Sequence, residues 1–450
     1  MSVSIVIPTH NREAAMTKFL FISHFFPPAG GAGVQRSSKF VKFLPDAGLL
    51  PVVVTGKLNP ADRWTPEDRT LMADVPEELP VYRADWNMKE ENSVLRLKQR
   101  QEAYMKAAET AIHEHRPEFI FVSMSPFQDT EIAIRLSQKY ELPWIADLRD
   151  PWALDEFQVY RSFAHRLAEL RKMRKSLASA AGIIMNTPVA RDRLLAAFPE
   201  FRNRPVTSIT NGFDPEDFPP TGDRTRGEKF RIVHTGSFHT SMGMHQKSKR
   251  AIYRILGRCE SGMEILPRSL YYLLEALERI LRTDPAIHEA LEVVFAGVMS
   301  DADKELISRS GVASKVQVTG YLGHSESAKE TASADLLFLP LHGLKPGRCA
   351  SIVPGKTYEY IGSGNPILAA LPDGDAKCFV EASGNCRVTE PDNVEGIAEG
   401  IRYFFRQWES GTLSHIREPA VTKAFERRTL TAQLADFLKG IDNQVDRHRA

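Results

Sequence analysis

Lys356 and Glu359 stand three residues apart in VPGKTYEYIGSGNPIL (353 to 368), a segment that predicts a loop entering a helix, a stop at Gly364 and a buried strand. Three residues apart on a helix is one face. A cation for phosphate and a carboxylate for sugar hydroxyls along one helical edge are the equipment for holding a nucleoside diphosphate. An exposed ion pair at that spacing would be worth only about 0.3 kcal/mol and would not call for the flanking glycines. A second charged group, Asp147, Arg149 and Asp150 in DLRDPW, closes an apolar run and is expected to face a cleft. Such charges are costly unless paired or used, so a loop-fixing Arg149 ion pair and cleft chemistry both stay open. The loop PPAGGAGVQR (27 to 36), with Gly30 and Gly31, lets backbone N–H groups approach an anion at a helix start. It matches neither GxGxxG nor GxxxxGK[ST], which disfavours a dinucleotide cofactor and P-loop chemistry. In ITNGFD (209 to 214), Asn211 and Gly212 suit a turn bending backbone toward the same cleft.

These residues need a scaffold, and the apolar pattern supplies one. Short β-branched or aromatic runs alternate with longer amphipathic stretches, the mark of βαβ units around a parallel sheet. Strands are predicted at 18 to 26, 51 to 57, 119 to 125, 144 to 150, 182 to 187 and 206 to 212. After a Pro, Gly and charge-rich linker they resume at 230 to 237, 291 to 297, 316 to 321, 335 to 341 and 365 to 371. The reading is α/β, with two Rossmann-like domains, 17–218 and 219–423, whose parallel sheets face each other across a cleft. A C-terminal helix region, 424–450, is expected to cross back to the first domain. Residues 1–16 form an extension whose MSVSIVIPTHNR resembles the opening of family-2 glycosyltransferases, a likeness that stops there. Open α/β folds bind ligands at the carboxyl ends of their strands, which makes an enzyme the favoured class.

At 450 residues and 42% hydrophobic, the chain has material for two cores. Its 58 Lys plus Arg nearly cancel 57 Asp plus Glu, so no global field draws it onto nucleic acid, and no nucleic-acid partner is expected. The 4 cysteines show no CxxC pair, which fits a reduced compartment. No membrane span or signal peptide is legible, and a cytoplasmic location is expected. The basic amphipathic stretch 239 to 258 reads as a solvated insert, an acceptor or lid element, or a peripheral contact with the inner face of a membrane, and the similarly basic 161 to 176 reads as a solvated face.

The order FFPPAGGAGVQR, IADLRDPW, ITNGFDPEDF, HTGSF, VTGYLGHSES, SADLLFLPL and VPGKTYEYIGSGNPIL resembles family-4-type retaining glycosyltransferases of the GT-B fold, from about residue 17 onward. The resemblance implies transfer of a sugar from a UDP-, GDP- or dTDP-sugar to an acceptor hydroxyl, with no metal and no other cofactor. The first domain would take the acceptor and the second the donor. Arg268 and Lys356 would neutralise the diphosphate as catalytic cations, and Gly236 and Ser237 would lie beneath it. Gly30 and Gly31 would line the phosphate and acceptor side, Tyr321 and Leu322 would border the base, and Glu359 would take the ribose hydroxyls. Arg149, Asp150 and Asn211 fall on the acceptor side. The acceptor class is open between a saccharide, a lipid-linked saccharide and a small molecule, in polysaccharide, glycolipid or natural-product biosynthesis. The chain departs from the family where Ser351 replaces the first glutamate of the E-x7-E motif and where SMSPFQD replaces a cleft histidine. Backbone N–H groups of Ile352 to Gly355 are the expected substitute for that glutamate. A nucleotide-sugar epimerase, a pseudo-glycosyltransferase and a non-catalytic nucleotide-sugar-binding scaffold are the rival readings.

Overall fold

The computed structural model describes residues 16–57, 67–218 and 227–449, with side chains described as far as Ile441. The predicted extension, Met16 apart, and residues 219–226 of the linker lie outside them.

The first sheet is parallel and seven-stranded. It is built from β1 (Thr17–Ser23), β2 (Leu49–Gly56), β3 (Val81–Ala84), β4 (Phe119–Met124), β5 (Trp144–Leu148), β6 (Gly182–Met185) and β7 (Val206–Ser208). Its order is β3-β2-β1-β4-β5-β6-β7. The second sheet has six strands: β8 (Phe230–Thr235), β9 (Leu291–Ala296), β10 (Val316–Gly320), β11 (Leu336–Pro340), β12 (Ile367–Ala370) and β13 (Cys386–Thr389). They run β10-β9-β8-β11-β12-β13, again all parallel. Central strands such as FLFIS of β1 are buried on both faces because helices cover both sides. In each sheet the order reverses beside the first strand, between β1 and β4 and between β8 and β11. Such switch points open a crevice at the carboxyl ends of the strands.

Two expectations need correction. The edge strands β3 and β13 were not foreseen, and the predicted strand 206 to 212 stops at Ser208. Beyond Ser208 the chain serves a different purpose. Phe213 N–H donates to Phe425 O at 3.0 Å and Arg427 N–H to Phe213 O at 2.9 Å, tying the interdomain segment to the returning C-terminal chain. A Cβ on Gly212 would stand 2.1 Å from Phe425 O, so only glycine fits. The backbone at Asn211 and Gly212 thus bends toward this returning chain. The final helix, Arg427–Arg449, then lays Leu430, Leu434, Leu438 and Ile441 on the core of Phe19, Phe21 and Phe121. That spacing is one helical stripe.

Candidate active site

The second domain places its cations where β8 ends. Gly236 follows it with φ +92, a conformation natural to glycine, and its N–H donates to Ala296 O at 2.6 Å. A Cβ there would lie 3.0 Å from Lys356 Nζ, so the ammonium sits directly over the turn that continues into Ser237. Lys356 belongs to the first turn of the helix Gly355–Ser363, which Gly364 ends in a left-handed cap. Its Nζ is 2.9 Å from His234 Nε2, while His234 Nδ1 is 2.9 Å from Phe338 O. A carbonyl only accepts, so His234 carries its proton on Nδ1 and receives the lysine's hydrogen bond at Nε2. Burial and the Lys356 charge hold His234 well below its usual pKa, in the neutral form this arrangement needs.

Arg268 reaches the same turn because the chain leaves at His239 and returns beside it, His239 N–H donating to Arg268 O at 3.0 Å. Its guanidinium lies 4.7 Å from the Phe157 ring of the first domain. Burial pushes Lys356 down to about 7, the neighbouring Arg268 charge adds to this, and Glu359 works against it. Neither Lys356 nor Arg268 has a carboxylate within ion-pair distance among the described residues.

Lys356 and Glu359 share a helix face but do not pair. Glu359 Oε1 instead accepts from Gln35 Nε2 of the first domain at 3.2 Å and lies 3.9 Å from His324 Nδ1. His324 is anchored by its Nε2 to Asp217 at 2.9 Å, and its N–H donates to Asp68 Oδ2 at 3.1 Å. The ribose-binding carboxylate proposed from sequence is thus held at the domain junction. Tyr321 crosses the same junction to the Gly31 amide, with Leu322 half-buried beside it. Gly31 caps the helix Ala32–Phe43 at φ +89, and Gly30 is buried in the loop before it.

The charges of DLRDPW divide. Asp147 does not face the cleft: it is fully buried and takes Arg36 through two bonds of 3.0 and 2.7 Å, a structural pair. Among the described residues Arg149 forms no ion pair. Asn186 Nδ2 holds that loop by donating to Arg149 O at 2.7 Å, while the guanidinium lies 5.4 Å from the Phe25 ring with Nη1 buried and unbonded. Arg149 therefore remains a cation available to the cleft beside the glycine loop, with Asp150 exposed next to it.

Sequence reasoning missed Glu156. This first-domain carboxylate is 0% exposed and lies against Ser351 of the second domain. Glu156 Oε1 accepts from Ser351 N at 2.7 Å and from Ile352 N at 3.2 Å, and Oε2 takes the Ser351 hydroxyl. Arg193 Nη1 completes the set at 3.0 Å from Oε2. Burial opposes the charge on Glu156, but His342, Arg193 and Ser351 outweigh it and hold the carboxyl down at about 2. The amides of Ser351 and Ile352 are thereby committed to a carboxylate from across the cleft. Its neighbour Asp155 is pushed the other way, up to about 7, by burial and by the charges of Glu156 and Asp150. No sequence motif marks either residue, since DEFQVY reads as an ordinary polar loop.

Among the described residues, no group of three or more His, Cys, Asp or Glu side chains is placed to hold a metal, and no helix is long and apolar enough to cross a membrane.

No protein-family model and no curated protein matches the sequence. Solved structures do match. The chain is similar to Anabaena Alr3699/HepE in complex with UDP and glucose, at 18% identity and TM-score 0.63, over 94% of this chain and 100% of that one. It is also similar to WaaG, a glycosyltransferase involved in lipopolysaccharide biosynthesis, at 14% identity and TM-score 0.54, over 94% and 100%. A putative UDP-N-acetylglucosamine 2-epimerase from Listeria monocytogenes follows, at 13% identity and TM-score 0.57, over 96% and 98%. At these identities the likeness establishes the fold, which is GT-B.

Proposed function

We propose that this chain is a retaining glycosyltransferase that moves a sugar from a nucleoside diphosphate sugar of the UDP, GDP or dTDP type to an acceptor hydroxyl. The observation that carries the reading is the placement of Lys356 and Arg268 together at the Gly236 turn. Two cations share a half-buried site at the cost of a lysine pKa pushed down to about 7, which a diphosphate would relieve. As the sugar leaves, negative charge grows on the β-phosphate, so fixed cations stabilise the transition state more than the bound donor. These two side chains supply there the charge neutralisation for which other phosphate enzymes use a divalent ion. Glu359 would exchange Gln35 for the ribose hydroxyls, with Tyr321 and Leu322 beside the base. HepE and WaaG, similar in fold, support the class.

A thermal-shift screen against UDP, GDP, dTDP, ADP and their sugar conjugates, with chelator present, tests this. One diphosphate family should stabilise selectively, by about 2.7 kcal/mol at a hundred times its Kd. No shift with any of them would overturn the donor site. Similarity to the Listeria epimerase favours one rival, which product analysis separates. Transfer requires a second, accepting substrate and releases nucleoside diphosphate, whereas epimerisation returns an isomeric nucleotide sugar.

The two basic stretches of the sequence meet across the domains, which supports peripheral contact with an anionic membrane surface. Phe163 N–H donates to Leu256 O at 2.8 Å, and Ile255 beside them is 80% exposed. Lys249, Arg250 and Arg254 are exposed around this apolar knob. Apolar insertion flanked by basic side chains is how surface helices hold anionic bilayers. The protein should sediment with phosphatidylglycerol vesicles at low salt but not with phosphatidylcholine vesicles, and Ile255→Ser with Phe163→Ser should release it. Equal recovery in the supernatant with both lipids would refute the contact.

A further inference from the structure

One cavity of the first domain lies apart from the Lys356 and Arg268 site. It opens at the carboxyl ends of β1 to β4 and measures about 480 Å³. Its wall carries Lys57, Arg83, Arg96 and Arg100, and no Asp or Glu is among its described lining residues. Two of these charges are already matched. Lys57 pairs with Asp85, and Arg100 with the buried Asp129 at 2.6 Å. The other two meet only carbonyls. Arg83 Nη2 donates to Pro27 O at 2.6 Å and Nη1 to Gly56 O at 3.4 Å, while Arg96 Nη1 donates to Glu90 O at 3.1 Å. Among the described residues no carboxylate lies within ion-pair distance of either. Guanidinium groups so placed present planar, bidentate faces suited to phosphate oxygens.

The cavity is several times larger than a phosphate, and Trp86, Phe25 and Leu97 supply apolar and aromatic wall for whatever the phosphate is attached to. It also adjoins the transfer site. His24, Phe25, Phe26, Pro28 and Ala29 form one of its walls, and the same loop continues to Gly31, which Tyr321 meets from the donor side. Resting on the glycosyltransferase reading, we infer that this cavity receives the acceptor through a phosphate or diphosphate group gripped by Arg83 and Arg96.

Calorimetric titration with inorganic pyrophosphate tests the site in an Arg268→Ala/Lys356→Ala protein, whose donor cations are gone. Saturable one-to-one binding should persist there, and adding Arg83→Ala with Arg96→Ala should weaken it by about 10- to 100-fold, the range for lost charge-assisted bonds. Farnesyl diphosphate at least tenfold tighter than pyrophosphate would identify a lipid-linked acceptor, and equal affinity a water-soluble phosphorylated saccharide. Either result supports the anion site. Absent pyrophosphate binding, binding that survives loss of both arginines, or glucuronate binding as tightly as pyrophosphate would overturn it. UDP stabilisation of the wild type reads the donor site independently. If UDP fails while pyrophosphate behaves as described, the donor reading falls and the anion cavity stands.

Discussion

Lys356→Met should lower turnover by about 10²- to 10³-fold, the loss typical when one fixed donor to a developing anion is removed. UDP affinity should fall much less, because the charge that Lys356 meets grows as the sugar leaves. A change confined to KM would mean that the lysine only binds. The pH dependence gives a sharper signature. In the free protein Lys356 loses its proton near pH 7, whereas a bound diphosphate keeps it charged. UDP affinity should therefore fall as pH rises above 7, and by no more in total than the loss that Lys356→Met itself causes. The variant should lack this fall above pH 7. Misfolding would not account for these results, since the lysine's folded-state pKa is depressed from 10.5. Burying it therefore costs stability below pH 7, a cost relieved only as pH rises toward 10.5, and an apolar replacement removes it.

What the sequence disclosed depended on how locally each feature was encoded. The central strands announce themselves because a parallel sheet buries both faces, making FLFIS or VVVTG continuous apolar runs. The edge strands β3 and β13 are four residues each and only partly buried, so VYRA and CRVT look like loop. Lys356 and Glu359 were readable because one helical turn carries both. Their separate partners, His234 and Gln35, were not, since these come from another strand and from the other domain. Asp147 was placed in the cleft because its charge seemed unpaired in sequence, while Arg36, 111 residues away, neutralises it in the core. Arg83 and Arg96 sat in polar stretches that resemble solvated surface, and only the fold sets them around one cavity. Burial and long-range pairing decide such cases, and neither leaves a periodic trace.

Glu156→Gln should destabilise the folded protein by about 3 kcal/mol at neutral pH. A carboxyl held at about 2 against an ordinary 4.5 represents roughly that much differential interaction. The loss also removes the nearer of the two carboxylates on Arg193, leaving it Glu260 at 3.4 Å. The sign with pH is fixed. Because the folded-state pKa is depressed, the contribution is complete above about pH 4.5 and is lost as pH falls toward 2. The gap between wild type and variant, measured by urea denaturation, should accordingly close in acid. Since Glu156 joins the domains through Ser351 and Ile352, the variant should also scatter X-rays with a larger radius of gyration. The swap Glu156→Ser with Ser351→Glu supplies a decisive control. It sends a carboxylate from the second domain toward Arg193. Recovery of most of the lost stability would mean that a carboxylate from either domain can hold the junction. A Glu156→Gln protein within about 0.5 kcal/mol of wild type, with unchanged scattering, would reduce Glu156 to a filler with no part in holding the domains together.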